Sequence, residues 1–318
     1  MNTPTHIPVH TPMQTAMNPS MNIMITGGTG FIGRALCHAL LNQGHVLYVV
    51  SRHPDQVNAI LGHTVNAATD PLQWLDQPMD VMINLAGAPI ADARWSDARK
   101  EVLLQSRLGP TRQLVRYAKE ASHKPKVLIS GSAIGFYGPH GDEDVMESSD
   151  SHDDFAHRLC LEWESEALAA RELGLRVCLL RTGLVLGPNG GMLNRLLPAF
   201  KMGLGGRLGS GKHYMPWIHR DDLVAAILFL IARDNLEGAF NGSAPTPVRN
   251  ETFSRVLANV LKRPLLLPVP ACALKIILGE LSEMLLTGAK VVPYRLQEEG
   301  FEFQYPTLKP ALEDIIIR

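Results

Sequence analysis

Three glycines spaced three residues apart, Gly27, Gly30 and Gly33, are the part of this sequence with the clearest chemical use. An apolar run typical of a buried strand, Asn22–Thr26, precedes them, and a stretch with helical spacing, Phe31–Asn42, follows them. A glycine-rich turn lets the backbone approach a diphosphate. The helix that follows offers free N–H groups and the positive end of its dipole. The spacing therefore predicts a dinucleotide site rather than a purely structural turn. The residues expected to line it are Thr26, Gly27, Gly28, Thr29, Gly30, Phe31, Ile32 and Gly33.

The end of the next apolar run, residues 45–50, bears on which nicotinamide nucleotide would bind. Sites for NAD place an Asp or Glu there to hold the ribose hydroxyls, whereas this chain has Ser51 and Arg52. A guanidinium at this point suits a 2′-phosphate, and the alternative is an ordinary exposed arginine. The sequence therefore predicts NADP(H) as the cofactor, with NAD(H) less favoured.

A third apolar run ends in small residues. Asn84 is followed by Leu85, Ala86 and Gly87. In a sheet of this type that edge faces the adenosine ribose, so a close approach of backbone to cofactor explains the small side chains. The alternative is that small residues here permit close helix packing. We include Leu85, Ala86 and Gly87 among the expected cofactor contacts.

Composition limits the partners and the compartment. The 318 residues carry a formal net charge of −1 with acids and bases interspersed, so we expect no nucleic-acid or membrane partner. No run approaches the roughly 18 apolar residues of a membrane span. Four cysteines, Cys37, Cys160, Cys178 and Cys272, are scattered without a CxxC pair. This pattern favours reduced thiols, a cytoplasmic location and no metal site.

Apolar runs alternate with helical stretches through the first half of the chain. This alternation, with short connections, predicts an α/β fold built on a doubly wound parallel Rossmann sheet with right-handed crossovers. The later chain is less regular and rich in Gly and Pro, which predicts a smaller C-terminal α+β lobe over the carboxyl edge of the sheet. Its apolar stretch 271–286 is expected to form one core helix. The expected strands are residues 22–26, 45–50, 81–85, 126–130 and 176–181, and the expected helices are residues 31–42, 97–119, 155–173, 221–232, 251–261 and 271–286.

The same patterns predict three parts of the chain. Residues 1–20 are polar and lack apolar periodicity, so we expect a disordered extension, unless translation begins at Met17 or Met21. They lack a basic region followed by an apolar run, so a signal peptide is not expected. Residues 21–240 are predicted to form an NADP(H)-binding Rossmann domain with insertions for a substrate lobe, and residues 241–318 a small C-terminal domain.

Six segments carry a family pattern: residues 25–33, 84–90, 129–138, 180–188, 217–222 and 247–250. Together they resemble the extended short-chain dehydrogenase/reductases. More closely, they resemble an atypical, uncharacterised subgroup of the NAD-dependent epimerase/dehydratase family. The glycine motif is shared across the superfamily, whereas the combination is specific to the subgroup and runs from about Met21 to the end. The resemblance implies a nucleotide-binding Rossmann fold followed by a small domain of unknown function.

The resemblance also implies where catalysis would occur, and there the chain departs from the family pattern. In the superfamily a Tyr exchanges a proton with the substrate, a Lys lowers the pKa of that Tyr, and a Ser polarises the substrate oxygen. Ser132 matches the serine, but Ala156 stands at the Tyr position and Cys160 at the Lys position. Arg107 replaces the Asn of the superfamily tetrad. These departures put the standard proton relay in doubt.

Several residues could replace that relay. Tyr137, near the substrate cleft in relatives, is either a substitute acid or a packing aromatic. Cys160 is either a thiol beside the nicotinamide ribose or a buried small hydrophobe. Arg107 is expected to clamp an acidic substrate group or a cofactor phosphate, and Ser132 could instead serve only to cap a strand end. The candidate catalytic residues are Ser132, Tyr137, Arg107 and Cys160; the resemblance adds Arg107, Ser130, Arg181, Thr182 and Gly183 to the cofactor contacts.

Two functions remain open from the sequence. The first is an NADP-dependent oxidoreductase or epimerase that acts on a small polar substrate through a site without the Tyr–Lys pair. The second is a catalytically inactive protein that binds NADP(H) as a regulatory or sensing ligand, with a link to cell division that some relatives suggest. The retained Ser132 favours the first and the lost Tyr and Lys favour the second. A homodimer is expected only because it is common in the superfamily.

Overall fold

The structure is a computed structural model that describes residues 19–265 and 268–317. Most of the expected disordered extension, residues 1–18, lies outside the described residues. The strands are β1 (Asn22–Thr26), β2 (Val46–Val50), β3 (Asn66–Ala68), β4 (Val81–Asn84), β5 (Val127–Ala133), β6 (Asp144–Val145), β7 (Arg176–Thr182), β8 (Leu184–Leu186), β9 (Tyr214–Met215), β10 (Trp217–His219), β11 (Gly238–Gly242), β12 (Val248–Arg249) and β13 (Lys290–Val291). The helices are α1 (Phe31–Asn42), α2 (Pro54–Leu61), α3 (Asp97–Glu120), α4 (Phe155–Leu168), α5 (Gly191–Lys201), α6 (Arg220–Ala232), α7 (Asn250–Val260), α8 (Ala271–Leu278), α9 (Leu281–Leu286), α10 (Tyr294–Glu298) and α11 (Leu308–Ile317).

Seven strands form one parallel sheet in the order β3, β2, β1, β4, β5, β7, β11. The direction in which successive strands are added reverses between β1 and β4, and ligands of doubly wound sheets bind in the crevice at that point. The predicted α/β fold with a doubly wound parallel Rossmann sheet is confirmed.

Alternate side chains of each strand enter separate cores on the two faces of the sheet. On β1, Ile23 and Ile25 pack with Leu36 of α1, whereas Met24 packs on the opposite face with Leu114 of α3. Burial on both faces explains why these strands are continuous apolar runs rather than alternating ones. The two cores fix the sheet, and the sheet fixes the strand ends that carry the site.

A smaller region of helices and short strands lies beyond the main sheet and has a core of its own. Helices α5, α7 and α11 contribute to it, with Trp217 of β10 fully buried at its centre. The predicted smaller C-terminal lobe is therefore present.

The stretch 271–286 differs from its prediction. Gly279 has a φ of +59° and separates α8 from α9, so the single expected helix is two. Ile276 and Ile277 of α8 are 75% and 65% exposed, so the expectation of a core helix was wrong. An apolar stretch predicts which face of a helix is buried only when its apolar residues recur with the helical period, and this stretch has no clear period of 3.6 residues.

None of the helices in the described part of the chain has the length and apolar character needed to cross a lipid bilayer.

Candidate functional site

The glycine turn between β1 and α1 has no room for side chains. Gly27 has a φ of +72°, and a Cβ added there would lie 2.5 Å from the carbonyl oxygen of Leu85. A Cβ at Gly33 would overlap the carbonyl oxygen of Gly27, so the third glycine lets the helix approach the strand. Gly30 closes the turn by donating its N–H to the Gly27 carbonyl at 3.0 Å. Glycines at this spacing are suited to such close contacts between backbone segments.

Helix α1 begins at this turn without a cap from any side chain of the described residues. Its N-cap is Gly30, and its first turn carries no acidic side chain. The free N–H groups and positive dipole end therefore face the crevice at the carboxyl ends of the strands. This arrangement fits a diphosphate, because the backbone supplies the donors and no side chain of the described residues caps them.

Two other residues of the predicted motif have side chains engaged within the protein. The Thr26 hydroxyl donates to Asn84 Oδ1 at 2.6 Å, and Asn84 Nδ2 donates to the Thr111 hydroxyl at 2.8 Å. These bonds tie β1 to β4 and to α3. The Phe31 ring lies where a Cβ at Gly190 would stand, so it packs under the loop that follows β8.

Arg52 stands at the end of β2, where the sequence placed it. Its side chain is exposed and forms no hydrogen bond or ion pair with residues 19–265 or 268–317. The neighbouring Ser51 hydroxyl accepts the N–H of His53 at 3.2 Å, and the next helix begins at Pro54. A guanidinium without a partner among the described residues, one strand away from the glycine turn, is available to a phosphate.

Gly87 makes room for a side chain of α3, a contact of the helix-packing kind that the sequence left open. A Cβ there would lie 3.2 Å from the guanidinium carbon of Arg107, so Gly87 makes room for this side chain. Arg107 donates to the carbonyls of Leu103 at 2.9 Å and Ala88 at 3.3 Å. Burial lowers the pKa of Arg107. The structure thus places Arg107 beside the Leu85–Ala86–Gly87 segment, at the edge of the cofactor crevice.

The hydroxyl of Ser132 lies in a buried ion-pair cluster. It donates to Glu164 Oε1 at 2.6 Å, and the same carboxylate accepts from Arg181 Nε at 2.8 Å and Nη2 at 2.9 Å. Ser132, Glu164 and Arg181 are 4%, 5% and 6% exposed. Burial alone would lower the pKa of Arg181, but its hydrogen bonds to Glu164 and the nearby charge keep that pKa raised. Such a pair is costly to break, because either partner alone would be a buried charge.

Tyr137 extends the same cluster. Its hydroxyl donates to Asn241 Oδ1 at 2.6 Å and accepts from Arg181 Nη1 at 3.1 Å. The Asn241 N–H in turn donates to Glu147 Oε1 at 2.9 Å. Tyr137 is fully buried, and burial raises the pKa of its hydroxyl to about 12. Both hydroxyls predicted to do chemistry therefore already have partners inside the protein.

Ala156 and Cys160, which the sequence predicts at the Tyr and Lys positions of the superfamily, face the same interior. Both are buried on α4. The Cys160 thiol lies 3.6 Å from the Ala133 carbonyl oxygen, and burial, with the nearby Glu164 carboxylate, raises the pKa of that thiol to about 12. At neutral pH the group is a thiol rather than a nucleophilic thiolate.

Three further predicted cofactor contacts lie along β5 and β7. Ser130 is fully buried, with its hydroxyl 3.3 Å from the Gly131 carbonyl oxygen. The Thr182 hydroxyl donates to the Leu180 carbonyl at 3.2 Å. A Cβ at Gly183 would lie 2.7 Å from the Pro216 carbonyl oxygen, so this glycine allows β8 and β10 to approach.

Sequence reasoning missed Glu164, Glu147 and Asn241, which complete the buried cluster. One signal for Glu164 was present: it follows Cys160 by four residues and so shares the buried face of α4. A carboxylate at a buried helix position requires a cation, and Arg181 is that cation.

Two family models match this chain. The model of the NAD dependent epimerase/dehydratase family covers residues 23–241, and that of a domain of unknown function covers residues 269–315. The chain therefore belongs to the NAD dependent epimerase/dehydratase family.

Its relatives share nearly the whole length. An epimerase family protein of Mycobacterium bovis is 39% identical over 292 residues, which cover 91% of this chain and 96% of that protein. The chloroplastic homologue of epimerase family protein SDR39U1 from Arabidopsis thaliana is 39% identical over 301 residues, 92% of this chain and 86% of that protein. The crystal structure of human epimerase family protein SDR39U1 (isoform 2) with NADPH has a TM-score of 0.84 at 30% identity, and covers 94% of this chain and 100% of that one. The chain is thus an NAD(P)-binding Rossmann protein of the SDR39U1-like kind.

Proposed function

We propose that this chain binds NADP(H), with the diphosphate on the glycine turn and the 2′-phosphate at Arg52. One observation carries the proposal: the turn at residues 27–33 is rich in glycine and leads into helix α1, and within the described residues no side chain caps that helix and none pairs with the Arg52 guanidinium at the end of the adjacent strand. The human relative was crystallised with NADPH, which supports the same choice here. A cytoplasmic location and a homodimer stay predictions from the sequence.

The roles of the residues follow from this placement. The N–H groups at the start of α1 would bind diphosphate oxygens, and Arg52 would pair with the 2′-phosphate. When bound, NADP(H) supplies or accepts a hydride. The Leu85–Ala86–Gly87 backbone, which bounds the turn through the Leu85 carbonyl, would lie against the adenosine half.

We further propose a regulatory or sensing role in preference to catalysis by a serine–tyrosine relay. The Ser132 and Tyr137 hydroxyls already donate to Glu164 and Asn241, and the Cys160 thiol is buried. A proton relay needs groups within hydrogen-bond reach of the substrate, and these groups have partners elsewhere. NADP(H) would then act as a ligand whose binding alters contacts with a partner.

A second function is favoured by a different observation. The Arg107 guanidinium carbon lies 5.2 Å from the Trp163 ring centroid, and Trp163 Nε1 is buried with no hydrogen-bond partner in the described residues. The Arg107 guanidinium, packed on the Trp163 ring beside the Leu85–Ala86–Gly87 segment, would hold a polar substrate group. It supports an NADP-dependent oxidoreductase or epimerase that acts on a small polar molecule without the Tyr–Lys pair.

Calorimetry with NADPH and NADH tests the cofactor assignment. Replacing Arg52 by Glu is expected to reduce NADPH affinity at least about tenfold, as loss of a charge-assisted hydrogen bond predicts, and to leave NADH affinity nearly unchanged. Arg263→Glu, an exposed charge reversal in the other lobe, is the matched control. An unaltered ratio of the two affinities in Arg52→Glu would refute the assignment.

Absorbance of NADPH with a panel of aldehydes and ketones separates the two roles. The sensing role predicts saturable NADPH binding without consumption. Consumption by the wild-type protein that Ser132→Ala abolishes would instead establish the oxidoreductase, and would require Ser132 to leave Glu164 during turnover.

A further inference from the structure

The first turns of α3 bring two arginines to the carboxyl edge of the sheet. Helix α3 follows β4 in a parallel sheet, so the helix begins at the edge where β4 ends. Arg99 and Arg107 are eight residues apart on this helix, a spacing that places both on one side of it. Both side chains are partly exposed. The crevice edge at Arg107 therefore contains a second guanidinium that the sequence did not indicate.

The two guanidiniums bind consecutive carbonyls of the segment after β4. Arg107 Nη2 donates to the Ala88 carbonyl at 3.3 Å, and Arg99 Nη2 donates to the Pro89 carbonyl. The Ala88 N–H donates to the Ser106 hydroxyl at 2.9 Å, which ties the same segment to α3. Because successive Cα atoms are about 3.8 Å apart, carbonyls of adjacent residues hold the two cations close together.

Each guanidinium keeps a donor that no described residue accepts. An arginine has five N–H donors in a rigid fork. Arg107 uses Nη1 on the Leu103 carbonyl at 2.9 Å and Nη2 on Ala88, whereas its Nε makes no hydrogen bond to residues 19–265 or 268–317. Arg99 bonds those residues through Nη2, and its Nε is enclosed, so Nη1 is the donor that it can offer. The free donors therefore belong to two neighbouring forks.

The positive charge of this pair is not balanced. Neither arginine forms an ion pair with any residue that the structure describes. Asp97 and Glu101 are each two positions from Arg99, and residues at that spacing do not face each other on a helix. Asp92, in the loop before α3, pairs instead with Arg195. The nearest acids in sequence therefore leave both cations without a partner.

The electrostatics at Arg107 show the same imbalance. Burial lowers the pKa of Arg107, and the nearby charge of Arg99 acts in the same direction. The neighbouring Cys160 is a neutral thiol at neutral pH, because its own pKa is raised to about 12. Glu164, on the same helix as Cys160, is engaged by Arg181 at 2.8 Å. An anion between the two guanidiniums would remove their repulsion, and partial burial strengthens that attraction.

The Arg107 guanidinium is held in position before any ligand arrives. Its central carbon lies 5.2 Å from the Trp163 ring centroid, and the lack of a side chain at Gly87 leaves it room. A guanidinium that packs on an aromatic ring keeps the N–H groups at its edge for an anion. A donor fixed in this way lowers the entropic cost of binding.

We propose that the crevice binds, beside NADP(H), a small molecule with a carboxylate or phosphate group, and that Arg99 and Arg107 hold this oxyanion group. Forked guanidiniums match the paired oxygens that both groups present. In the oxidoreductase role this molecule is the substrate, and in the sensing role it is a second ligand. The assignment rests on the proposed NADP(H)-binding function, because both ligands share the crevice.

Calorimetry of the full chain with malonate and with inorganic phosphate tests the site, first with saturating NADP⁺ and then without it. Malonamide is the neutral control for malonate, and sodium chloride keeps the ionic strength matched. We expect saturable binding of malonate, phosphate or both, and none of malonamide. The tighter probe shows which of the two groups the site prefers. A chain that binds the anion but not NADP⁺ would refute the cofactor assignment and leave the anion site standing.

Three variants give the test its specificity. Arg99→Gln and Arg107→Gln, checked for folding by circular dichroism, should each weaken anion binding at least about tenfold, the loss expected for a charge-assisted contact. Arg112→Gln, which removes an exposed charge from the same helix, should change it less than about twofold. The proposal is overturned if neither probe binds saturably, or if Arg112→Gln weakens binding as much as Arg99→Gln. It is also overturned if Arg99→Gln and Arg107→Gln weaken NADP⁺ binding but not anion binding.

Discussion

The glycine turn and the buried cluster lie on the same edge of one sheet, yet they hold their polar groups in opposite ways. At the turn, the donors are backbone N–H groups that face the crevice and that no side chain in the described part of the chain caps. At the ends of β5 and β7, Ser132, Glu164, Arg181 and Tyr137 satisfy one another inside the protein. The comparison teaches that the same sheet edge can leave backbone donors open at one strand end while it buries the Ser132 and Tyr137 hydroxyls among partners at another.

The largest expected effect comes from breaking the buried pair. Arg181→Met leaves the Glu164 carboxylate buried and unpaired, so the free energy of unfolding should fall by about 3–5 kcal/mol. Arg112→Met is the control, because Arg112 is exposed where it pairs with Glu166, so its loss should lower stability far less. Urea unfolding measures both. Equal losses in the two variants would show that the cluster is not a buried structural unit.

Removing the serine hydroxyl should have a smaller effect of the same kind. Ser132→Ala deletes a hydrogen bond to a carboxylate and is expected to cost about 1.5–3 kcal/mol of stability, with NADPH affinity unchanged within about twofold. Ser20→Ala, whose exposed hydroxyl bonds the Gly44 carbonyl, should cost less than about 0.5 kcal/mol. A stable Ser132→Ala that binds NADPH poorly would place this serine in the ligand site instead.

A methyl group added at Gly27 should weaken NADPH binding. Gly27→Ala would crowd the Leu85 carbonyl, and NADPH affinity should fall at least about tenfold, or about 1.4 kcal/mol. Gly44→Ala is the matched control, since Gly44 also has a positive φ of +83° but nothing within 4 Å of an added Cβ. Both variants carry the left-handed strain of about 1–2 kcal/mol in stability. Equal NADPH affinities in the two would contradict a close approach at Gly27.

The smallest expected effect is the lack of a reaction at Cys160. Because burial raises the pKa of this thiol to about 12, it should stay protonated and unmodified by iodoacetamide in the native protein at pH 8 to 9, the range about the ordinary thiol pKa. Cys272 is exposed and serves as the internal control. Peptide mass spectrometry locates the label. Equal labelling of both cysteines would mean that Cys160 opens to the crevice.

The sequence predicted the nucleotide half well because its signals are local. Strand β1 and helix α1 were predicted with their observed bounds, and the glycine spacing marks the bend between them. The buried cluster could not be predicted from local signals. Ser132 lies beside Arg181 only through the register of β5 and β7, and Glu164 reaches both from α4. The contact of Gly183 with the nicotinamide stays a prediction, and its close approach to the Pro216 carbonyl joins segments distant in sequence, which no local signal predicts.

A crystal structure of the chain with NADPH tests the central claim most directly. The diphosphate should lie on the amides at the start of α1, with the 2′-phosphate at Arg52 and the Ser132 hydroxyl still bonded to Glu164. A diphosphate bound elsewhere, or a Ser132 hydroxyl turned from Glu164 toward the nicotinamide, would contradict the account.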